Sequence, residues 1–169
     1  MLNDISLCIL DIAVNSFKSG AKNIGISLIK SDDRFLFEIK DDGCGISADT
    51  LDKIHKSIDK PEKGTSFNGL KGLYKVCGGN CKISSDDILG TKVTARFLPD
   101  FPLGDIFGTI MCLLNLCGQG DVMLDFSIEC EDKSFTVNSI SLYEISCGKE
   151  KYYSIKRYIQ EGVTEIFKK

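Results

Sequence analysis

Two short segments near the start of the chain combine acidic and amide side chains with closely spaced glycines. Asp11 and Asn15 are four residues apart, so a helix would place both side chains on one face. The later segment 41–45 reads Asp-Asp-Gly-Cys-Gly, in which an acid can hold a ligand while the glycines let the backbone approach it. Together the two segments predict a nucleotide pocket, with one end reading a base and the other holding a metal ion and phosphates.

Composition limits the class of protein. The chain has 169 residues, 43% of them hydrophobic, and a net charge of −3, which indicates a globular chain with a real core. It has no long basic run, so nucleic acid is not an expected partner. It also shows no signal peptide and no apolar run of the ~20 residues that span a bilayer. We therefore expect a cytoplasmic protein with no membrane partner.

The chain contains eight cysteines, at positions 8, 44, 77, 81, 112, 117, 130 and 147. Without a secretion signal, we expect them to be reduced, buried and used as small apolar residues. Cys77 and Cys81 flank Gly-Gly-Asn and could bind a metal ion, but the spacing is not the usual Cys-x-x-Cys and no second pair follows. Packing is the favoured interpretation.

Hydrophobic periodicity predicts an α+β fold in two parts. The first part, residues 1–98, is expected to be a two-layer α/β sandwich with one mixed sheet and helices over one face. The second part, residues 99–169, is expected to be a small α+β extension. The predicted helices are 4–18, 47–58, 70–77, 104–117 and 150–167, and the predicted strands are 24–28, 35–39, 80–85, 91–98, 122–130 and 134–138.

The predicted helix 104–117 is almost wholly apolar, so it must be buried against something. The sequence leaves open whether it packs in the core of this chain or in the interface of a homodimer.

Three glycine-bearing elements follow the Asp11–Asn15 helix, at residues 41–45, 68–73 and 90–93. In their order and spacing, the four motifs resemble the GHKL ATPase superfamily of gyrase, heat-shock chaperones, sensor histidine kinases and MutL-type repair proteins. The resemblance covers roughly residues 5–98 and depends on the ordered set, since each motif alone is weak. It implies a Bergerat-type ATP-binding fold with ATP and Mg²⁺ as ligands.

By this resemblance, the base end of the pocket is built around Asp41. Its carboxylate would accept a hydrogen bond from the exocyclic amine of adenine, and Thr91 would support that contact through water. A carboxylate only accepts hydrogen bonds, so it favours adenine over guanine, which has a carbonyl at that position. Gly43 and Gly45 would let the chain bend closely around the base.

The resemblance also implies roles at the phosphate end. Asn15 corresponds to the magnesium ligand of the family. Asp11 occupies the position of the general base, where many members carry a glutamate that is longer by one methylene, so we expect slow hydrolysis. Lys18 could contact phosphate, or it could equally be a solvated lysine near the end of a helix.

A second phosphate-binding element is predicted at Gly69, Lys71 and Gly72. This segment resembles the glycine signature of the MutL branch, with lysine for arginine, and its backbone N–H groups could bind phosphates. The alternative is a plain junction between a loop and a helix. The polar loop 59–68 lies where the family has its lid.

Two further observations concern His55 and the segment 100–106. His55 is the single histidine and lies inside the predicted domain, so we interpret it as a surface or lid-helix residue and not as a phosphoacceptor. The segment 100–106 is similar to one in small stand-alone ATP-binding proteins of anaerobic bacteria, whose genes commonly lie beside those of iron hydrogenase subunits. That similarity suggests a link to redox metabolism but supplies no reaction.

The resemblance implies an ATP- and magnesium-binding regulatory module with slow or partner-triggered turnover and a protein partner of unknown identity. A first alternative is a protein kinase that acts on a separate partner, like the anti-sigma-factor serine kinases or a histidine kinase core. A second is a non-catalytic scaffold that senses nucleotide. DNA mismatch repair is a weaker idea, because the acidic charge and the short tail oppose it.

Overall fold

The computed structural model describes residues 4–58, 68–78, 80–86, 88–144 and 150–168. In chain order its elements are α1 (Ile5–Lys18), β1 (Asn23–Lys30), β2 (Phe35–Asp41), α2 (Ala48–Ile58), α3 (Asn68–Val76), β3 (Cys81–Asp86), β4 (Gly90–Phe97), α4 (Ile106–Gly120), β5 (Met123–Cys130), β6 (Lys133–Asn138), α5 (Ser139–Glu144) and α6 (Glu150–Ile166).

The six strands form one mixed sheet in the order β3-β4-β2-β1-β5-β6. Only β1 and β5 run parallel, with Ile26 opposite Phe126, and the other neighbours in the sheet are antiparallel. The predicted mixed sheet of an α+β fold is therefore confirmed. Since β5 and β6 extend the sheet built by β1–β4, the region after residue 98 shares a sheet and a core with the region before it, and the division of the chain at residue 98 stays a prediction.

One face of the sheet forms the core because apolar residues alternate along every central strand. The buried strand residues include Ile24, Ile26, Leu28, Phe35, Phe37, Ile39, Val93, Ala95, Phe97, Leu124, Phe126 and Ile128. Helices α1, α3, α4 and α6 pack against this face. The opposite face carries polar side chains such as Ser27, Glu38 and Thr94, which are half-buried.

The first turn of α1 is capped by two separate segments. The Asp4 carboxylate accepts a hydrogen bond from the amide of Leu7, as an N-cap residue does. The amide of Ile5 donates to the carbonyl of Pro102 at 2.9 Å, and that of Ser6 donates to the carbonyl of Leu103 at 3.1 Å. The amides that a helix leaves unpaired at its start are thus satisfied from the segment before α4.

Helix α4 buries its apolar side within this chain: Ile110 and Leu113 are fully buried, and Ile106 nearly so. The sequence predicted that this helix begins at residue 104, but it begins at residue 106. Gly104 has a φ of +71°, which is not helical, and the carboxylate of Asp105 caps the helix by accepting from the amide of Gly108 at 2.8 Å.

The other differences from the predicted elements are small. Helix α5 was not predicted, because six residues carry too few periods of a hydrophobic pattern to be recognised. The predicted loop 59–68 lies outside the described residues except for Asn68, which begins α3. Among the described helices, none combines the length and apolar character needed to cross a membrane.

The cysteines are only partly as predicted. Cys8, Cys77 and Cys117 are buried, but Cys44 and Cys112 are exposed, so the expectation that all are buried is wrong. Cys44 lies on the polar glycine loop after β2, and Cys112 lies on the solvent side of α4. Cys147 lies outside the described residues. Within the described ranges, no group of three or more His, Cys, Asp or Glu side chains is arranged to hold a metal ion.

Phe126→Ala tests whether β5 is part of a single cooperative unit. Phe126 is 1% exposed at the centre of the sheet, so its removal should lower the free energy of unfolding by about 3–5 kcal/mol. Because β5 pairs with β1 along its whole length, urea unfolding should remain one transition with a lower midpoint. The control is Glu129→Ala, on the exposed face of β5. This substitution should lower the free energy of unfolding by less than ~0.5 kcal/mol. Two separate transitions, only one of which shifts, would contradict this prediction.

Candidate functional site

A cavity of about 340 Å³ opens between α1, the loop after β2 and the start of α3. Its volume lies within the range of small-molecule sites, which is about 300–1,000 Å³. The residues that line it are Ile12, Asn15, Ser16, Lys18, Ser19, Asp41, Gly45, Ile46, Ser47, Thr50, Leu70, Thr91 and Val93. Five of the sequence-predicted residues are among them: Asn15, Lys18, Asp41, Gly45 and Thr91.

One end of the cavity is built where the apolar rows of the sheet give way to polar groups. In the row Ile83–Val93–Ile39, each residue is opposite the next on a neighbouring strand. The next inward-facing row, two residues along each strand, contains Ser85, Thr91 and Asp41. Cross-strand pairing therefore brings together three polar side chains that are up to 50 residues apart in the chain, from position 41 to position 91.

Three donors hold the Asp41 carboxylate, which is only 7% exposed. The Ser16 hydroxyl donates to Oδ2 at 2.6 Å, and the amides of Gly43 and Thr91 donate to Oδ1 at 3.0 and 3.3 Å. A carboxylate has about four acceptor positions. Among the described residues, no donor occupies the fourth position, which is on Oδ2.

The Thr91 hydroxyl is paired with that of Ser85 at 2.9 Å, and either oxygen can be the donor. Ser85 Oγ also accepts from the amide of Ile46 at 2.7 Å and lies 3.1 Å from the carbonyl of Gly90. Ser85 thus links the edge strand β3 to the loop that lines the cavity.

The glycine loop is fixed at both of its ends. The amide of Cys44 donates to the carbonyl of Ser19 at 3.1 Å, which ties the loop to the end of α1. At Gly43, an added Cβ would lie 1.8 Å from Ser19 Oγ, so this close approach requires a glycine. The loop is therefore packed against α1 through backbone contacts that side chains would block.

Asp42 holds the loop to the start of β1 and does not line the cavity. Its carboxylate accepts from the amides of Lys22 and Asn23 at 2.7 and 2.8 Å, and from the Asn23 side chain at 2.6 Å. The hydrogen bonds from Asn23, first that of its side chain, hold the pKa of Asp42 below its usual value near 3.8. The stabilisation is therefore present above pH 3.8 and is lost as the pH falls through the lowered pKa.

Asn15 and Lys18, both on α1, also line the cavity. The Asn15 side chain is half-buried and makes no hydrogen bond within the described part of the chain, so its amide oxygen is available. Lys18 is exposed and, among the described residues, forms no ion pair. An amide oxygen and a cation beside one cavity suit a metal-bound polyphosphate.

The start of α3 lies at the cavity through Leu70, which is 4% exposed. Gly69, Lys71 and Gly72 belong to the same helix, which begins at Asn68. Gly72 is half-buried and does not line the cavity, and the side chain of Lys71 lies outside what the structure describes.

Asp11 and His55 lie apart from the cavity. Asp11 is exposed on α1, one turn before Asn15, and is not among the lining residues. His55 is exposed on α2, as the sequence predicted.

Sequence reasoning missed Ser16 and Ser85. A signal for Ser16 was available, because it directly follows Asn15 and lies five residues after Asp11 on the same helix. No local signal identifies Ser85, since its importance follows from the register of β3 on β4.

The family model for histidine kinase-, DNA gyrase B- and HSP90-like ATPases matches residues 2–101, which is more than half of the chain. The chain belongs to this family. Its matched region is thus an ATP-binding, ATPase-like domain, and the mixed sheet with helices on one face is the fold expected of such a domain. The predicted resemblance to the GHKL superfamily is confirmed.

Two solved structures are similar to most of the chain. The MutL ATPase domain of Aquifex aeolicus, complexed with ADP, has a TM-score of 0.49 and 15% identity, covering 90% of this chain and 68% of that one. The N-terminal domain of a DNA repair protein also has a TM-score of 0.49, with 11% identity, covering 98% of this chain and 57% of that one, which is less than two thirds. Comparison with curated proteins finds no match.

Gly90→Ala tests the close approach of β4 to Asp41. Gly90 has a φ of +80°, and an added Cβ would lie 2.0 Å from the carbonyl oxygen of Asp41. Gly20 is the matched control, because its φ is +77° but a Cβ there meets nothing within 4 Å. Gly20→Ala should lower the free energy of unfolding by about 1–2 kcal/mol through backbone strain alone. Gly90→Ala should lower the free energy of unfolding by more than Gly20→Ala does, as measured by urea unfolding. It should also weaken ADP binding, as measured by calorimetry. Equal decreases in the free energy of unfolding, with ADP binding unchanged, would contradict this prediction.

Proposed function

We propose that this chain is an ATP- and magnesium-binding regulatory module with slow or partner-triggered turnover. The single observation behind the proposal is the Asp41 carboxylate, which is buried at one end of the cavity with one acceptor position unused. The exocyclic amine of adenine would donate to that position. The carbonyl of guanine would instead face a second acceptor, so the site would select adenine.

Asn15 and Lys18 support the assignment of the phosphate end. Mg²⁺ prefers oxygen ligands and usually keeps several waters, so one amide oxygen beside nucleotide phosphates suits it better than a cage of protein ligands would. When bound, the ion would neutralise phosphate charge. Asn15 would hold it, and Lys18 and the amides at the start of α3, around Gly69, would contact phosphate oxygens. Gly72 is the fifth residue of α3, so its amide is bonded within the helix. Lys71 stays a candidate from the sequence alone.

Slow turnover is proposed because of the position of Asp11. A general base must come within hydrogen-bond reach of the attacking water, directly or through a second water. Asp11 is exposed and outside the cavity lining, and its side chain is one methylene shorter than that of glutamate. The chain would therefore bind ATP more effectively than it hydrolyses it.

The exposure of Asp11 also favours one alternative, a kinase that acts on a separate protein. A carboxylate at the surface can accept a proton from a hydroxyl group or an imidazole that a partner brings. In this case the γ-phosphate would pass to the partner and not to water.

The narrower resemblance of residues 100–106 stays a proposal. The comparisons do not support the association with iron hydrogenase genes, and the cytoplasmic location and the homodimer also remain proposals. In the structure this segment caps two helices: the carbonyls of Pro102 and Leu103 cap α1, and Asp105 caps α4.

Asp41→Asn tests the adenine contact. If the amide nitrogen of the new side chain replaces Oδ2, the amine of adenine would face a donor, and if it replaces Oδ1, the amides of Gly43 and Thr91 would face one. By isothermal titration, wild type should bind ADP and ATP and not GTP, and the variant should bind ADP about tenfold or more weakly. Asp132→Asn, in the exposed turn between β5 and β6, should bind ADP like wild type.

Thermal unfolding with saturating MgADP separates this proposal from a scaffold without a working site. A site filled at one hundred times its dissociation constant adds about 2.7 kcal/mol to the folded state. If the wild-type melting curve does not move, the scaffold is favoured. If Asp41→Asn binds ADP as tightly as wild type, the proposed base contact is wrong.

Asp11→Asn tests turnover with γ-labelled ATP. If Asp11 orients the attacking water, phosphate release should fall by about 10²-fold while the affinity for ADP stays within about twofold. The same label shows whether phosphate moves to a co-purifying protein, which would favour the kinase. Unchanged phosphate release in Asp11→Asn would show that Asp11 is only a solvated surface carboxylate.

A further inference from the structure

Ser85 lies directly behind Thr91, on the edge strand β3, and does not line the cavity itself. Its side chain is half-buried on the inward face, two residues beyond the buried Ile83. It makes three contacts, and every one of them leads to a residue that lines the cavity or precedes one: Ile46, Gly90 and Thr91.

The protons of these groups can be counted. A serine hydroxyl has one proton and two acceptor positions. The amide of Ile46 occupies one acceptor position of Ser85 Oγ. The Ser85 proton then points either to the carbonyl of Gly90, 3.1 Å away, or to Thr91 Oγ1, 2.9 Å away.

The two choices give the cavity different chemistry. If Ser85 donates to Gly90, then Thr91 donates to Ser85 and presents only acceptor positions to the cavity. If Ser85 donates to Thr91, the Thr91 proton is free to point into the cavity, and Thr91 becomes a donor beside the acceptor Asp41. A direct hydrogen bond from Thr91 to N1 of adenine needs this second arrangement, because N1 only accepts, while the adjacent amino group donates to Asp41.

We propose that Ser85 is a positioning residue for adenine recognition, which gives its proton to Thr91 and so directs the Thr91 hydroxyl to N1. This inference rests on the proposed function, since it concerns the base that the site binds.

The chain offers a matched control in Ser84, the residue next to Ser85 on the same strand. Ser84 is exposed and points to the opposite face of the sheet. Ser84→Ala should therefore leave nucleotide affinity unchanged, and Ser85→Thr, which keeps a hydroxyl, should retain most of the wild-type affinity.

The experiment is calorimetric titration with ADP and with 1-deaza-ADP, in which N1 is replaced by CH. For ADP, Ser85→Ala should raise Kd about tenfold, or about 1.4 kcal/mol. For 1-deaza-ADP, wild type and Ser85→Ala should agree within about threefold, because there is no N1 acceptor to lose. If the role of Ser85 is purely structural, Ser85→Ala should weaken the binding of both ligands equally, and that result would overturn the proposal.

A second set of variants tests the proposal if Ser85→Ala folds poorly. Thr91→Val removes the hydroxyl that Ser85 is proposed to direct. Ser85→Cys, whose S–H is only a weak donor, should weaken ADP binding in wild type but should leave the affinity of Thr91→Val unchanged, since position 85 then has no hydroxyl to direct. If changing position 85 alters ADP affinity as much in the Thr91→Val background as in wild type, the two residues act independently and the proposal is wrong.

The outcomes separate this inference from the proposed function. If wild type binds neither nucleotide, the proposed function fails and the role of Ser85 fails with it. If wild type binds ADP with a preference for adenine and Ser85→Ala does the same, only the role of Ser85 is overturned.

Discussion

The site depends on the antiparallel register of β2 on β4, which places Asp41 opposite Thr91. The same register sets the apolar rows of the core, so the site and the core share one constraint. A slip by one residue would turn the apolar side chains of β2 to the outer face and would remove Asp41 from Thr91. Core packing therefore protects the site from such a slip, because a shift by one residue would expose Phe35, Phe37 and Ile39.

A second constraint comes from the far end of the chain. The parallel pairing of β1 with β5 and the capping of α1 by residues 102 and 103 attach the later elements to the matched family region. Helix α1 carries Asn15, Ser16 and Lys18, so its position matters for both ends of the cavity. The segment that precedes α4 thus helps to hold the helix on which the phosphate end depends.

The cavity itself combines a rigid end and a more open end. Asp41 is held by three donors, and the loop beside it is tied to α1 and β1, so little reorganisation is needed to receive a base. Lys18, which also lines the cavity, is exposed. The held carboxylate and the exposed lysine thus differ in how firmly the fold fixes them.

Much of this arrangement could be predicted from local patterns. Alternating apolar residues predicted the strands, and the spacing of Asp11 and Asn15 predicted one helix face, because each of these signals lies within a few adjacent residues. The order of the glycine motifs, spread over residues 41–93, predicted the family. Only the tertiary structure decided that β5 pairs with β1, that Ser85 stands behind Thr91, and that Asp11 lies outside the cavity lining. These features follow from strand register and helix rotation, which are set by packing between residues far apart in the chain and leave no mark in any single segment.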